Sequence, residues 1–284
     1  MRLVTYRLDG TEHLGAVVDG TIRALTPALK VRDVHGLLAG PGLAAAQAAL
    51  PSAPVIAKEG EVELAPVVPR PRKIICVGAN YDLHRQEMGR DELPYPTLFV
   101  RFPESMVGHR QHILRPYASE RFDYEGELAV IIGAKARHVP AERAYSVVAG
   151  YTCLNDGSVR DYQRHTTQFT PGKNFDASGG MGPWMVTADE IPDPHDLELR
   201  TRVNGEVVQS ANTGQMSFRI PEIIEYVSTF TTLAPGDVIA TGTPSGVGDK
   251  RKPPLYLKAG DLLEVEISKI GVLSLPVADE SHGH

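Results

Sequence analysis

Two acidic side chains stand two residues apart inside an otherwise apolar stretch of the chain. Glu125 and Glu127 lie within residues 122–133, which are rich in β-forming residue types. Residues i and i+2 of a strand point to the same face, so the two carboxylates are expected to lie side by side. Such like charges repel each other, whereas a divalent cation bound by both turns the repulsion into attraction.

A third candidate ligand for such a cation follows further along the chain. Asp156 comes directly after residues 151–155, another short β-like run. Three carboxylates without a nearby cluster of cysteine and histidine suit Mg²⁺ or Mn²⁺ better than zinc. The alternative is an edge strand with a solvated acidic face, but the apolar residues 128–132 indicate a strand that enters the core.

His84 and Glu87 are candidates for acid–base chemistry. They are three residues apart, so on a helical turn they share one face and the carboxylate can orient the imidazole. On spacing alone, a solvent-facing helical pair is the preferred interpretation. The polar, proline-punctuated residues 89–96 that follow are typical of a mobile loop or lid.

Several cationic and polar residues follow Asp156 and could bind an anion. Arg160 and Gln163 are spaced to share one face of a helix, and Lys173 lies in a glycine-bearing loop. Residues 237–248 predict a strand that runs into a turn, where backbone N–H groups and Thr243 could contact an anion. Each residue alone is typical of an ordinary surface, so it is their clustering that makes them candidates.

Composition limits the classes of partner. The chain has 284 residues, of which 42% are hydrophobic and 23% charged, and its net charge of −6 argues against a nucleic-acid partner. No apolar run reaches membrane-spanning length and the start lacks a signal-peptide pattern, which predicts a cytoplasmic protein without a membrane partner. The two cysteines lie in apolar, strand-like contexts that favour buried free thiols.

The elements that position these residues fall into two predicted units. Residues 1–68 predict a small N-terminal α+β module, and residues 69–284 a β-rich main domain that begins after a proline-bearing linker at 65–72. The other patterns predict strands at 3–7 and 14–18 with turns at 9–10 and 19–20, a helix at 42–50, a hairpin around Asn204–Gly205, a helix at 220–227 with Pro221 in its first turn, and a closing hairpin at 261–275. His109 and His112 lie in a polar turn without a third nitrogen or sulfur ligand, which favours solvated or substrate-facing side chains over metal ligands.

Together these segments resemble the fumarylacetoacetate hydrolase family. The likeness extends over roughly residues 73–276 in chain order, which is more specific than any single motif. The matching stretches are residues 77–81 (VGANY), 124–128 (YEGEL), 150–152 (GYT) with 155–156 (ND), 160–163 (RDYQ), 172–176 (GKNFD), 182–184 (GPW) and 235–248 (PGDVIATGTPSGVG).

The resemblance implies a fold and a set of site residues. It implies a β-rich α+β protein built around a mixed β-roll, usually a homodimer, with one Mg²⁺ or Mn²⁺ per subunit and Ca²⁺ as a possible substitute in crystals. Under this interpretation the His84–Glu87 pair is a catalytic dyad on a lid, which reverses the preference from spacing alone. The metal ligands implied are Glu125, Glu127 and Asp156, the further catalytic residue is Lys173, and the substrate-binding residues are Arg160, Gln163, Tyr81 and Thr243.

The resemblance also implies a reaction class. The expected substrate is a small 2-oxo acid, and the leading hypothesis is a metal-dependent hydrolase that cleaves a C–C bond of a 2,4-diketo acid (an acylpyruvate or fumarylacetoacetate-like compound) into a carboxylic acid and a pyruvate-type product. The alternatives are an isomerase of 2-hydroxyhepta-2,4-diene-1,7-dioate, or a decarboxylase of oxaloacetate-like 2-oxo diacids. A third hypothesis is a non-catalytic, metal-stabilised binding protein, although such a protein would not need the dyad.

Overall fold

A computed structural model describes residues 1–89, 91 and 94–281, and strands dominate it. The strands are β1 (Arg2–Leu8), β2 (Thr11–Val18), β3 (Thr21–Ala24), β4 (Val55–Lys58), β5 (Glu63–Leu64), β6 (Ile74–Gly78), β7 (Thr97–Arg101), β8 (Met106–Val107), β9 (Ile113–Arg115), β10 (Phe122–Asp123), β11 (Gly126–Ile132), β12 (Val148–Asn155), β13 (Ser158–Val159), β14 (Gly179–Thr187), β15 (Glu198–Val203), β16 (Glu206–Asn212), β17 (Val238–Ala240), β18 (Leu262–Ile267) and β19 (Gly271–Asp279).

The helices are short and lie mostly between strands. They are α1 (Thr26–Leu29), α2 (Val34–Ala39), α3 (Gly42–Ala49), α4 (Asp82–Glu87), α5 (Arg160–Gln163), α6 (Thr170–Lys173) and α7 (Ile220–Phe230). Six 3₁₀ helices are described as well, at Leu50–Ser52, Pro103–Ser105, Ala141–Val147, Ala188–Glu190, Thr213–Gln215 and Gly248–Lys250. The strand-rich α+β class predicted from the sequence is confirmed.

Strand β11 lies inside the largest sheet and is covered on both faces. The main path of this twelve-stranded sheet has the order β4-β3-β2-β1-β14-β12-β11-β17-β6-β7. All seven residues of β11 are buried. Leu128 and Val130 belong to one hydrophobic core, whereas Ala129 and Ile131 belong to the core on the other face. This alternation follows from the two-residue period of a strand and gives the acidic residues at its start a rigid support.

The N-terminal strands form a meander that continues this sheet. Asp9 and Asp19 adopt positive φ angles in the turns that join β1 to β2 and β2 to β3, as the Asp-Gly pairs predicted. Strand β1 also pairs with β14 of the main domain. The predicted proline-bearing linker at 65–72 packs against the rest of the protein, because Val67 and Val68 are buried in the second core. Division of the chain at residue 68 therefore stays a prediction about folding units.

A second sheet packs over the start of β11. Its order is β16-β15-β18-β19-β9, and its β15–β16 hairpin turns at Asn204–Gly205, as predicted. The sheet comes so close to Gly126 that a Cβ there would lie 2.1 Å from the Thr201 hydroxyl oxygen. Only glycine fits between the two glutamates at this point, which explains the sequence Glu-Gly-Glu.

Part of the predicted lid and the end of the chain are not among the described residues. Three of the eight residues of the proposed lid segment at 89–96, namely 90, 92 and 93, and the chain end at 282–284 lie outside the described residues. The predicted helix at 220–227 is confirmed as α7, which begins with Pro221 in its first turn. Within the described ranges, no helix combines the length and apolar character needed to cross a membrane.

His109 is half-buried and hydrogen-bonded within the protein, whereas its polar turn favoured a solvated or substrate-facing side chain. Its Nδ1 atom accepts a hydrogen bond from the backbone N–H of Ser274 at 3.1 Å. Burial and the nearby Arg110 lower the pKa of His109 to about 4. The native protein therefore holds this imidazole neutral, while the unfolded chain protonates it near pH 6.5.

Acid should therefore destabilise the protein partly through His109. Its contribution to the free energy of unfolding is complete above about pH 6.5 and is lost as the pH falls towards 4. Asparagine at this position keeps an acceptor for the Ser274 N–H but cannot be protonated. The melting temperature of His109→Asn should therefore fall less between pH 7 and pH 4.5 than that of the wild type. Parallel curves of melting temperature against pH, measured by calorimetry, would contradict this role.

Candidate metal centre and substrate cavity

Three buried carboxylates meet where β11 begins and β12 ends. One oxygen each from Glu125, Glu127 and Asp156 lies within 4.8 Å of the others. Glu125 and Glu127 flank Gly126, and the antiparallel register pairs Gly126 with Asn155, which brings Asp156 beside them. The N–H of Asp156 donates to the carbonyl of Glu125 at 2.8 Å. The structure thus brings together the three residues proposed from their spacing.

Buried cations surround two of these three carboxylates. The ammonium of Lys173 lies 2.8 Å from Glu125 and 2.6 Å from Asp156. The guanidinium of Arg160 lies 2.7 Å from the other oxygen of Glu125. No described cation forms a salt bridge with Glu127, whose Oε2 accepts a hydrogen bond from the N–H of Gly242 at 2.8 Å. Glu127 is therefore the acidic group whose charge is least compensated.

The pKa directions reflect this unequal compensation. Burial raises the pKa of Glu127 well above its usual value, and the charges of Asp156 and Glu125 raise it further. Burial acts in the same sense on Glu125, but the charges of Lys173 and Arg160 outweigh it and lower the pKa of that carboxyl. A divalent cation among these oxygens would remove the repulsion that Glu127 experiences. The donor set, three buried carboxylates, therefore fits a hard cation such as Mg²⁺ or Mn²⁺.

The predicted acid–base pair is formed on helix α4. Nδ1 of His84 lies 3.0 Å from Oε2 of Glu87. An ionised carboxylate can only accept, so Nδ1 carries the proton and Nε2 remains available as a base. Both oxygens of Glu87 also accept from the N–H of Gly246, at 3.1 and 3.3 Å, which holds the helix against the turn after β17. His84 is buried, so the pair does not face solvent as spacing alone had suggested.

A narrow cavity lies between His84 of the dyad and the Glu125 carboxylate. Its free volume is about 20 Å³, room for roughly one water molecule. The residues that line it are Gly78, Ala79, His84, Met88, Phe99, Glu125, Arg160, Gln163, Phe169 and Lys173. Within the described structure, Nη2 of Arg160 is buried without a hydrogen-bond partner. A buried donor left in this state is costly, which indicates that a ligand completes it.

The structure does not bring every proposed substrate-binding residue to this cavity. Gln163 and Arg160 line it and bond to each other at 3.0 Å, as their spacing on α5 predicted. Thr243 does not line it: its hydroxyl donates to the carbonyl of Gly126 at 3.0 Å and accepts from Gln209 at 2.8 Å. Tyr81 lines a separate cavity of about 320 Å³ on the outer side of α4. Substrate contacts of Thr243 and Tyr81 stay predictions.

Lys173 also differs from its expected setting. It ends the short helix α6 instead of lying in the predicted glycine-bearing loop, and it is buried with its ammonium between two carboxylates. Its Nζ lies 5.1 Å from the centre of the Phe99 ring, on the wall of the cavity. A cation in this position neutralises the acidic cluster and can also face an anion in the cavity.

Two buried charged residues beside the site, Arg101 and Asp123, were not among the candidates predicted from the sequence. Arg101, at the end of β7, lies 2.6 Å from the second oxygen of Asp156 and also donates to the carbonyl of Gly157. Asp123 lies 2.8 Å from Nε of Arg160. The only sequence signal for them was a charged residue within an apolar, β-like run. Such a residue is expected to be buried, and a fully buried charge needs a partner.

Comparison with known proteins places this geometry in a family. Residues 73–278 match the sequence profile of the family described as fumarylacetoacetate (FAA) hydrolase C-terminal. A curated relative, oxaloacetate tautomerase Fahd2a, mitochondrial, of Rattus norvegicus, is 45% identical over 285 residues, which cover 96% of this chain and 90% of the relative. The mitochondrial location is a property of that protein. The cytoplasmic location predicted for this chain stays a prediction.

Solved structures of family members have the same fold. Fumarylacetoacetate hydrolase from the psychrophile Exiguobacterium antarcticum is 36% identical, with a TM-score of 0.86 over 99% of this chain and 100% of that one. Maleylpyruvate hydrolase from Sphingobium sp. SYK-6, in complex with manganese(II) ion and pyruvate, is 30% identical with a TM-score of 0.84 over the same shares. The predicted fold is therefore confirmed, and one neighbour binds a divalent metal together with a 2-oxo acid.

Proposed function

This chain belongs to the fumarylacetoacetate hydrolase family, and from that premise we propose that it is a metal-dependent tautomerase that interconverts the enol and keto forms of a small 2-oxo diacid such as oxaloacetate. The observation that carries the proposal is one narrow cavity lined both by a carboxylate-supported base, His84, and by Arg160, whose Nη2 has no hydrogen-bond partner among the described residues. A base and an anion-binding donor in one narrow site suit proton transfer next to a carboxylate.

Each residue of the site has a separate role in this reaction. Nε2 of His84, which is not engaged by Glu87, takes the proton from the 2-hydroxyl of the enol and delivers a proton to C3. An O–H bond breaks and a C–H bond forms, His84 returns to its neutral state, and the mass does not change. Glu87 keeps the imidazole in the tautomer that can accept this proton. Arg160 and Lys173 provide positive charge for a substrate carboxylate.

A metal ion fits the same proposal. When bound, Mg²⁺ or Mn²⁺ held by Glu125, Glu127 and Asp156 would supply positive charge beside the 2-oxo group, which stabilises negative charge that develops on its oxygen. The relative named as an oxaloacetate tautomerase supports this substrate class.

The second candidate is hydrolysis of a C–C bond in a 2,4-diketo acid, which gives a carboxylic acid and a pyruvate-type product. It is favoured by the dyad, because a base supported by a carboxylate can also activate water. The neighbour named as maleylpyruvate hydrolase supports it as well. A non-catalytic binding role is less favoured, since the named relatives and neighbours are enzymes. A homodimer, predicted from the resemblance, remains part of the proposal.

One assay separates these reactions. The purified protein with Mg²⁺ or Mn²⁺ is incubated with enol oxaloacetate, an acylpyruvate and a hydroxydienedioate, and products are identified by mass. We expect loss of the enol absorbance of oxaloacetate above the uncatalysed rate, with unchanged mass, and loss of this acceleration when EDTA removes the metal. Uptake of water by the acylpyruvate would support the hydrolase instead, and release of CO₂ would indicate a decarboxylase.

A further inference from the structure

Asp123 is a buried carboxylate whose acceptor capacity is fully used. Its Oδ1 accepts from the N–H groups of Tyr124 and Gly248, both at 2.8 Å. Its Oδ2 accepts from Nε of Arg160 at 2.8 Å and from the N–H of Asp249 at 2.9 Å. A carboxylate has about four acceptor sites, so these four donors saturate it. Asp123 is therefore a fixed structural point rather than a further metal ligand.

The hydrogen bond that Asp123 accepts from Arg160 helps to determine where the guanidinium of Arg160 points. Asp123 holds Nε, while Nη1 lies 2.7 Å from Glu125 and 3.0 Å from Gln163. A guanidinium is planar, so fixing Nε and Nη1 also fixes the direction of Nη2. Nη2 is the atom that lacks a partner, and Arg160 lines the cavity. The carboxylate of Asp123 thus aims the free donors of the site.

The hydrogen bonds that Asp123 accepts from backbone N–H groups hold the turn against which helix α4 packs. Asp123 accepts from Gly248 and Asp249, two and three residues after Gly246, whose N–H donates to Glu87. Gly246 has a φ of 102°, and a Cβ there would lie 2.3 Å from the carbonyl oxygen of Val208. The backbone at Gly246 is therefore tightly constrained. If the hydrogen bonds that Gly248 and Asp249 donate to Asp123 were lost, the turn could not easily rearrange to keep the Gly246 N–H on Glu87.

We propose that Asp123 is a positioning residue that couples substrate binding to the docking of helix α4. The same side chain orients the Arg160 donors towards the substrate anion and supports the turn that receives Glu87, so neither can shift alone. The inference rests on the proposed function only in requiring that the cavity binds a 2-oxo acid. It does not depend on which reaction follows.

Asp123→Asn tests the coupling with pyruvate and Mn²⁺ as probes. Asparagine keeps the shape but replaces one acceptor oxygen with an N–H₂ group that faces existing donors. We expect pyruvate affinity at saturating Mn²⁺ to fall about tenfold or more, in line with loss of a charge-assisted hydrogen bond, while Mn²⁺ affinity alone changes less than about threefold. Both are measured by calorimetry on the full chain.

Hydrogen exchange provides a readout that lost stability alone would not produce. In the wild type, pyruvate should slow amide exchange in α4 and in residues 246–249 together, because both belong to one coupled unit. In Asp123→Asn this joint protection should disappear. The wild-type measurement tests the proposal even if the variant does not fold, since protection of only one segment would overturn it.

Asp237→Asn is the matched control. Asp237 is also fully buried, accepts from the N–H groups of Lys73 and Ala234, and pairs with the Lys73 ammonium at 2.7 Å. It does not line the cavity. Equal loss of pyruvate affinity in both variants, or wild-type affinity in folded Asp123→Asn, would overturn the inference alone. A wild type that binds no pyruvate in the presence of Mn²⁺ would overturn the proposed function as well.

Discussion

His84→Ala is expected to slow the conversion of enol oxaloacetate by about 10² to 10⁴, the usual contribution of a positioned acid–base group. His84 is buried, is held through Nδ1 by Glu87 and lines the cavity. The alanine variant keeps all three carboxylates, so Mn²⁺ affinity should stay within a few-fold of the wild-type value. The measurement is turnover under saturating Mn²⁺, together with Mn²⁺ binding by calorimetry.

Decarboxylation of oxaloacetate provides an internal comparison for His84→Ala. Loss of CO₂ needs an electron sink but no group that moves a proton in the same step, so this rate should fall less. Glu87→Gln, which disturbs the tautomer but keeps the imidazole, should show a smaller loss of tautomerisation. His112→Ala, which lies on a surface groove away from the cavity, is the matched control. If neither rate falls in His84→Ala, the dyad does not perform the chemistry.

Glu127→Ala is expected to weaken Mn²⁺ binding by about an order of magnitude or more and to lower turnover at limiting metal. The reason is that one of three ligand carboxylates is lost, and with it much of the charge and geometry of the site. Glu127 is also the candidate ligand without a described cationic partner, so its charge is the one most directly available to a metal ion. Calorimetric titration with Mn²⁺ measures the effect.

Glu127→Gln separates metal binding from stability. Removing a like charge next to Glu125 and Asp156 should leave the metal-free protein as stable as the wild type or more stable, while Mn²⁺ no longer raises its melting temperature. Glu12→Gln, which affects an acidic residue paired with Arg70 far from the site, serves as a control. If Mn²⁺ raised the melting temperature of Glu127→Gln as much as that of the wild type, Glu127 would not be a metal ligand.

Local patterns were enough to predict many of the elements. The Asp-Gly and Asn-Gly pairs predicted the turns at 9–10, 19–20 and 204–205, because these residues tolerate the positive φ that tight hairpins need. The apolar spacing of α7 and the position of Pro221 predicted a helix there. Each of these signals depends on neighbours within about one turn of the chain, which is why it can be found without the tertiary structure.

The same holds for part of the candidate site. The two-residue period of a strand predicted that Glu125 and Glu127 would lie together, and the helical period predicted the contacts of His84 with Glu87 and of Arg160 with Gln163. Their partners across the fold could not be predicted in this way. Asp156 reaches Glu125 only through the register between β11 and β12, which many distant contacts decide.

Tertiary structure alone decided which charges are buried together. Arg101 and Asp123 carry no local signal of their role, since the cost of burying a charge is offset only by partners far away in sequence. The same packing directed the Thr243 hydroxyl to the backbone of Gly126 and brought the turn at Gly246 against Glu87. The sequence by itself determined residue types and their spacing along each strand or helix. The directions of the buried donors and acceptors were decided by long-range packing, because each must find a partner once water is excluded.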